Sequence, residues 1–272
     1  MLITPLQPFL AGALRCGAVA LLALSLGGCL ARGGAETTGS LRADAPVSET
    51  SLRQSSEALG QKFEANPADA ETALAYAATL RSLGQHAQAV AVLQQGTIRN
   101  PRSLAVLAAY GKALADAGRF KEASEVLSKA HLPERPDWRI LSVQGAVADQ
   151  LGEFQTAQRY YETALRIVPG EPSVLSNQGL SYALAKRLPE GEAILRQAAL
   201  HPRADGRVRQ NLALVLGLQG KFAEAEAVLR QDMGPQEVAQ TLASIKRMVA
   251  QPNSWKKLRQ QAEAPQTADK AG

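Results

Sequence analysis

Few residues of this 272-residue chain are of a kind that makes or breaks bonds. There are two cysteines, Cys16 and Cys29, and three histidines, His86, His131 and His201. Acid pairs such as Glu224 and Glu226 stand in helix-forming sequence and read as a solvated face. Gly-x-Ser-x-Gly, a phosphate loop, His-Glu-x-x-His and Cys-x-x-Cys are all absent. No catalytic residue, metal site, cofactor or small-molecule substrate is therefore expected, and the chain reads as something other than an enzyme. What remains is recognition chemistry. Asn177 and Asn211 lie 34 residues apart. An amide donates and accepts at once, so two such rungs suit a peptide backbone. Leu180, Leu184, Leu214 and Leu218 flank them, with Arg207 and Gln210 nearby. These residues are the candidate partner-binding set.

The elements that must position them follow from a repeat. Blocks of 34 residues starting at Ala70, Leu104, Trp138, Pro172 and Gly206 fall into register without insertion. Glycine recurs at the eighth place as Gly111, Gly145 and Gly179, with Ala77 and Ala213 in the outer blocks. A second glycine recurs at the fifteenth place as Gly84, Gly118, Gly152 and Gly220. Five residues later stands a small residue: Ala89, Ala123, Ala157, Gly191 or Ala225. This resembles the tetratricopeptide (TPR) pattern of two antiparallel helices per 34 residues. A mid-helix glycine costs about 1 kcal/mol relative to alanine. It is tolerable where two helices must approach, and Gly145 is expected to face Ala157. The fifteenth-place glycine suits a left-handed helix end, and Pro67, Pro101 and Pro169 mark where second helices stop. Lys186 departs from the turn glycine, and Arg135, Arg203 and Glu237 from the proline.

The predicted fold is all-α: a superhelical TPR solenoid spanning residues 49–250, with five full repeats that start at Ala70, Leu104, Trp138, Pro172 and Gly206. An N-terminal half repeat precedes them and a capping helix at 235–250 follows. In such arrays the first helix of each repeat lines the concave side. The N-terminal repeats then present Glu71, Arg81, Lys112, Asp116, Arg139, Asp149 and Gln150, a mixed polar wall, and the last two present the leucines and asparagines. Two alternatives stand beside the binding reading. The helix carrying Val238, Leu242, Ile245 and Val249 could bury those leucines itself, and asparagine is a common residue at that place in TPRs.

The N-terminus speaks to location. Arg15 precedes an apolar run from Cys16 to Leu26, too short for a stable transmembrane anchor and suited to a secretory signal. The run ends in Leu26-Gly27-Gly28-Cys29, which resembles the bacterial lipobox; the alternative is an ordinary signal with a chance cysteine. The resemblance implies cleavage of a signal at 1–28 and lipidation of Cys29. Leu30, which is not aspartate, resembles an outer-membrane address. Stable anchoring takes more than one acyl chain, at about 0.8 kcal/mol per buried methylene. Residues 29–48 are poor in large apolar side chains and read as a flexible tether with a reach of about 25 Å. Residues 251–272 read as a basic, largely disordered tail.

The net charge is +5, from 30 Lys+Arg against 25 Asp+Glu. Basic residues gather late in the chain, among them Arg196, Arg203, Arg207, Arg209, Lys246 and Arg247. Aromatic residues are not interleaved with them, and the signal leads out of the cytoplasm, so nucleic acid is not the expected partner. An acidic protein or anionic headgroups fit better.

The C-terminal half carries more specific runs. These are Gln144-Gly145-Ala146-Val147, Pro172-Ser173-Val174-Leu175-Ser176-Asn177 through Ser181-Tyr182-Ala183-Leu184, Arg207 to Gly220, and the closing Gln251-Pro252-Asn253-Ser254-Trp255. Together with the lipobox they resemble the TadD lipoproteins of the tight-adherence (Flp pilus) secretion system. The resemblance implies a pilotin or scaffold at the periplasmic face of the outer membrane, with the pilus secretin or another pilus-assembly component as partner. The other function left open is a TPR lipoprotein adaptor for peptidoglycan enzymes or proteases.

Overall fold

The computed structural model describes residues 48–132 and 134–250. The signal, Cys29, the tether and the tail with Trp255 lie outside the described residues. The described part is a TPR-like solenoid of helix pairs. α1 (Glu49–Ala65) precedes five pairs: α2 (Ala70–Ser82) with α3 (His86–Arg99), α4 (Leu104–Asp116) with α5 (Phe120–Leu127), α6 (Trp138–Gln150) with α7 (Phe154–Ile167), α8 (Pro172–Leu184) with α9 (Leu188–Ala199), and α10 (Gly206–Leu218) with α11 (Phe222–Leu229). α12 (Pro235–Ala250) closes the series. Among the described residues there is no sheet, only an isolated bridge between Leu132 and Arg135.

The first helices start on the 34-residue period, and local chemistry explains why. Asp69, Ser103, Asp137 and Asp205 cap α2, α4, α6 and α10 with their side-chain oxygens, while α8 opens on Pro172, which has no N–H to satisfy. Each first helix ends in the same turn. The amide five residues past the helix's third-last carbonyl bonds back to it, as Gln85 N to Leu80 O at 2.8 Å and Glu153 N to Ala148 O at 2.8 Å. That closure needs a left-handed residue. Gly84, Gly118, Gly152 and Gly220 supply it with φ between 72° and 78°. Lys186 is no exception in conformation: it takes φ 63° and Arg187 N still bonds to Tyr182 O at 2.8 Å.

Packing within a pair corrects one expectation. A Cβ on Gly145 would not meet Ala157 first; it would fall 2.6 Å from ring carbons of Tyr161. Gly111 stands in the same way against Leu127 and Gly179 against Leu195. The eighth-place glycine therefore admits a bulky residue of the second helix, at the twenty-fourth place. That place holds Leu93, Leu127, Tyr161, Leu195 and Leu229, all essentially inaccessible. The small residue at the twentieth place lies nearby: a Cβ on Gly191 would fall 2.7 Å from the carbonyl oxygen of Gly179. Ala89, Ala123, Ala157 and Ala225 are fully buried at that place.

Between pairs, each first helix packs on the next, from α2 through α10, and α12 packs on α10 and α11 where a further first helix would stand. Val238, Leu242 and Ile245 are its buried residues, with Ile245 against Gly217. At the other end α1 packs on α2, its Phe63 ring 6.0 Å from that of Tyr76.

Candidate protein-binding face

The face shared by the first helices is stitched by polar side chains that reach from one repeat to the next. Asn177 Nδ2 donates to Ser142 Oγ at 3.0 Å, and Asn211 Nδ2 donates to Ser176 Oγ at 3.0 Å. The two candidate asparagines thus form a ladder across α6, α8 and α10, and each commits one of its two amide hydrogens to it. The serine 35 residues earlier was the available signal for this role. Leu180 is half-buried against the core shared by α8 to α12. Leu214, Leu218 and Gln210 are half-buried and Leu184 is exposed. Arg207 is exposed and pairs with Asp205 at 2.9 Å. Val238 and Leu242 of α12 join a core that contains Leu212, Val215 and Leu216 of α10. α12 therefore buries the end of the last repeat.

Asp149, expected on the open polar wall, is instead 8% exposed. Its carboxylate accepts from Tyr161 Oη at 2.9 Å and Ser181 Oγ at 2.6 Å. Gln158 Nε2 donates to the same serine at 2.8 Å, so the cluster joins α6, α7 and α8. Burial pushes the Asp149 carboxyl up to about 6 against the downward pull of its two hydroxyl donors, and burial beside this acid pushes the Tyr161 phenol up as well. Helical phase alone did not reveal this; the serine and tyrosine that close over the acid come from other elements.

The late basic residues are largely paired. Arg203 meets Glu171 at 2.9 Å, and Arg209 forks onto Asp232. Glu192 accepts from Arg196 at 2.9 Å, Gln219 at 2.7 Å and Lys221 at 2.6 Å, while Arg196 also reaches Glu224. Burial would raise the Glu192 carboxyl, but these donors outweigh it and hold it at about 2. Of these pairs, Arg196–Glu224 and Lys221–Glu192 join repeats four and five. At the N-terminal end Arg81 of α2 binds Asp116 of α4, and Arg139 of α6 lies over its neighbour Trp138, 4.4 Å from the ring centroid. His131 lies 3.3 Å from Gln144 Oε1, and His201 Nδ1 accepts from Arg203 N at 3.1 Å. No group of His, Cys, Asp or Glu among the described residues is placed to hold a metal ion.

Two family models match parts of the chain. One describes subunit 3 of the anaphase-promoting complex, or cyclosome, over residues 52–130, and the other a tetratricopeptide repeat over residues 206–231. No curated protein sequence matches. Among solved structures the chain is similar to PilW, a widely conserved type IV pilus biogenesis factor, at 20% identity and TM-score 0.59, covering 71% of this chain and 91% of that one. It is also similar to PilF of Pseudomonas aeruginosa, at 21% identity and TM-score 0.52, covering 72% and 90%. A thermophilic TPR protein of Thermus thermophilus matches at 21% identity and TM-score 0.57, covering 65% and 98%. At these identities the shared property is the fold.

Proposed function

We propose that this chain is an outer-membrane-anchored periplasmic lipoprotein whose solenoid is a protein-binding scaffold, or pilotin, for Flp (tight-adherence) pilus assembly. One observation carries the scaffold reading. Five successive first helices share one face, with Arg81–Asp116 joining α2 to α4, Asn177–Ser142 joining α6 to α8, and Asn211–Ser176 joining α8 to α10. A surface fixed in this way meets an incoming segment without being ordered first, which removes part of the cost of binding. Solenoids use such extended faces to hold proteins. The pilus part is supported by the TadD-like runs of the sequence and by a fold shared with PilW and PilF. The anchor rests on Cys29 at the end of the lipobox-like run. The partner in this reading is the pilus secretin or another pilus-assembly component.

The test pairs location with partner. Wild-type protein should fractionate with outer membrane and co-purify, after cross-linking, with the secretin or another pilus component. Cys29→Ser should leave uncleaved precursor in the inner membrane or a soluble form, with pili lost. A Cys29→Ser protein that still fractionates with outer membrane and supports normal pili removes the anchor. Recovery of peptidoglycan enzymes or proteases in place of pilus proteins transfers the scaffold to the adaptor function.

A further inference from the structure

We propose that the edge of the solenoid where each second helix hands over to the next first helix rests on an anionic lipid surface, with Ile98, Leu132, Ile167 and Leu200 entering its apolar boundary. This goes beyond the scaffold reading and draws on the expected lipid at Cys29 for proximity alone. Among the described residues seven large apolar side chains are exposed, and five of them, these four and Leu104, stand at this edge. Apolar residues scattered singly over a surface need no explanation, but these recur by place. Ile98, Leu132 and Leu200 hold the twenty-ninth place of their repeats and Ile167 the thirtieth. Ile98 is 72% exposed and Leu200 86%, so most of each side chain stands in water.

Shape and charge select the occupant. Neighbouring first helices lie about 8–10 Å apart, so three steps carry the row over roughly 24–30 Å. Arginine, proline and glycine stand between the apolar tips, which therefore do not merge into the continuous groove that a partner helix needs. A fluid bilayer closes round separate tips. The four connections, residues 96–103, 130–137, 164–171 and 198–205, hold five arginines and four acids. Three of the acids are committed: Asp137 and Asp205 cap α6 and α10, and Glu171 accepts from Arg203 at 2.9 Å. Glu134 is the acid left over. Arg99, Arg102, Arg135 and Arg166 are exposed and meet no carboxylate among the described residues. Arg99 directly follows Ile98, and Arg166 directly precedes Ile167. Arginines so placed hold their charged heads at phosphate level while their stems follow the apolar neighbour inward, and anionic headgroups attract them.

The chain outside the described residues fits this placement. α1 leads into α2 at this same edge, and the tether expected over residues 29–48 joins α1 at its other end. The 17 residues of α1 are about 25 Å long. The expected reach of the tether is also about 25 Å, enough to bring a lipidated Cys29 level with the row. An anchor of that length keeps the bilayer at high local concentration, so weak contacts at the edge suffice. The face shared by the first helices is left free for a protein.

The experiment uses purified wild-type protein and variants with one added cysteine, reconstituted with vesicles of about three parts phosphatidylcholine to one of phosphatidylglycerol that carry a lipid-borne fluorescence quencher. Dyes at Ile98→Cys, Leu132→Cys, Ile167→Cys and Leu200→Cys should be quenched about tenfold more than dyes at Gln85→Cys and Glu153→Cys on the other edge, where first helices turn into second. The difference should shrink when phosphatidylcholine is the only lipid, and likewise on Arg99→Gln with Arg102→Gln and Arg166→Gln, whose urea midpoint should match wild type because all three arginines are exposed. Equal quenching at both edges overturns the proposal. So does shielding of the row without vesicles in a protein that sediments as a dimer, which makes it a contact between copies. Cross-linking of the row to a pilus protein in membranes, with no lipid quenching, makes it a protein site and overturns the proposal too. The anchor is judged separately, because wild type takes no dye when Cys29 carries lipid. If wild type takes dye at Cys29, the anchor reading fails and flotation with the same vesicles judges the edge. Wild type should then float and the variant Ile98→Ser with Leu132→Ser, Ile167→Ser and Leu200→Ser should not; absent or equal flotation overturns the proposal.

Discussion

Asp149 shows how much one residue's environment can differ from its place in a pattern. It sits at a position that ought to face solvent, yet Tyr161 and Ser181 cover it and donate to it. Its carboxyl stands at about 6 against an ordinary 3.8 because burial disfavours the charge more than two hydroxyl donors restore it. The folded state therefore holds this proton more tightly than the unfolded chain does. The group's stabilising contribution is full below pH 3.8 and is lost as pH rises through about 6. Between pH 4.5 and 7.5 the loss should be on the order of 2 kcal/mol. Glu192 works in the opposite sense, but its contribution is lost only as pH falls below 4.5 toward about 2, outside that interval. Asp149→Asn keeps the shape and removes the charge, and either hydroxyl can turn to accept from the amide. Urea unfolding at the two pH values should show a smaller pH effect in the variant by that amount. Identical pH effects in both proteins would mean that the carboxylate is not desolvated as described.

At the scale of the element, the helix pair was legible because its signals are backbone constraints. A turn that needs a left-handed residue selects glycine, and a close approach selects a small side chain, so both recur on a fixed period whatever else varies. Lys186 departs from the residue preference, yet it adopts φ 63° and closes the same turn; the backbone requirement outlasts the preference. What the eighth-place glycine faces was less legible. The sequence also repeats a bulky residue at the twenty-fourth place, but a pattern of single positions does not say which two positions touch. The second role of the asparagines was less legible for a similar reason. Their amides fit a peptide backbone in principle, and only the structure places Ser142 and Ser176 within reach. The contact itself gives a prediction. Gly145→Leu puts its first carbon 2.6 Å from the Tyr161 ring, which is fully buried and tied through its hydroxyl to Asp149. The ring must move and the buried acid loses a donor. Overpacking of this kind should destabilise by roughly 1–3 kcal/mol. A urea midpoint equal to wild type would show that α6 and α7 are looser than their contact implies.

For the whole molecule, stability should be distributed along the repeats and not centred in one core. Each pair buries its own twenty-fourth-place residue and touches mainly its neighbours, so the array is close to a one-dimensional chain of coupled units. The ends are then the weak points, and α12 answers for one of them. Without it, Leu212, Val215 and Leu216 of α10, now at most 3% exposed, would lose the cover of Val238 and Leu242, and Gly217 would lose that of Ile245. Each such side chain contributes roughly 1.5–3 kcal/mol when fully buried, so a chain ending at Gly234 should lose several kcal/mol locally. The loss should reach α10 and α11 first, because the ion pairs through Glu192 and Glu224 join them to α9 but not to the distant repeats. Hydrogen exchange is the direct measurement. Protection should fall sharply in residues 206–229, moderately in 172–199, and hardly at all in 70–127. A chain ending at Ala250 serves as the control that keeps the cap, and it should exchange like the full chain. Uniform loss of protection from α1 to α11 in the shorter chain would show instead that the repeats unfold as a single block. Unchanged protection in α10 would show that α12 is not the cap.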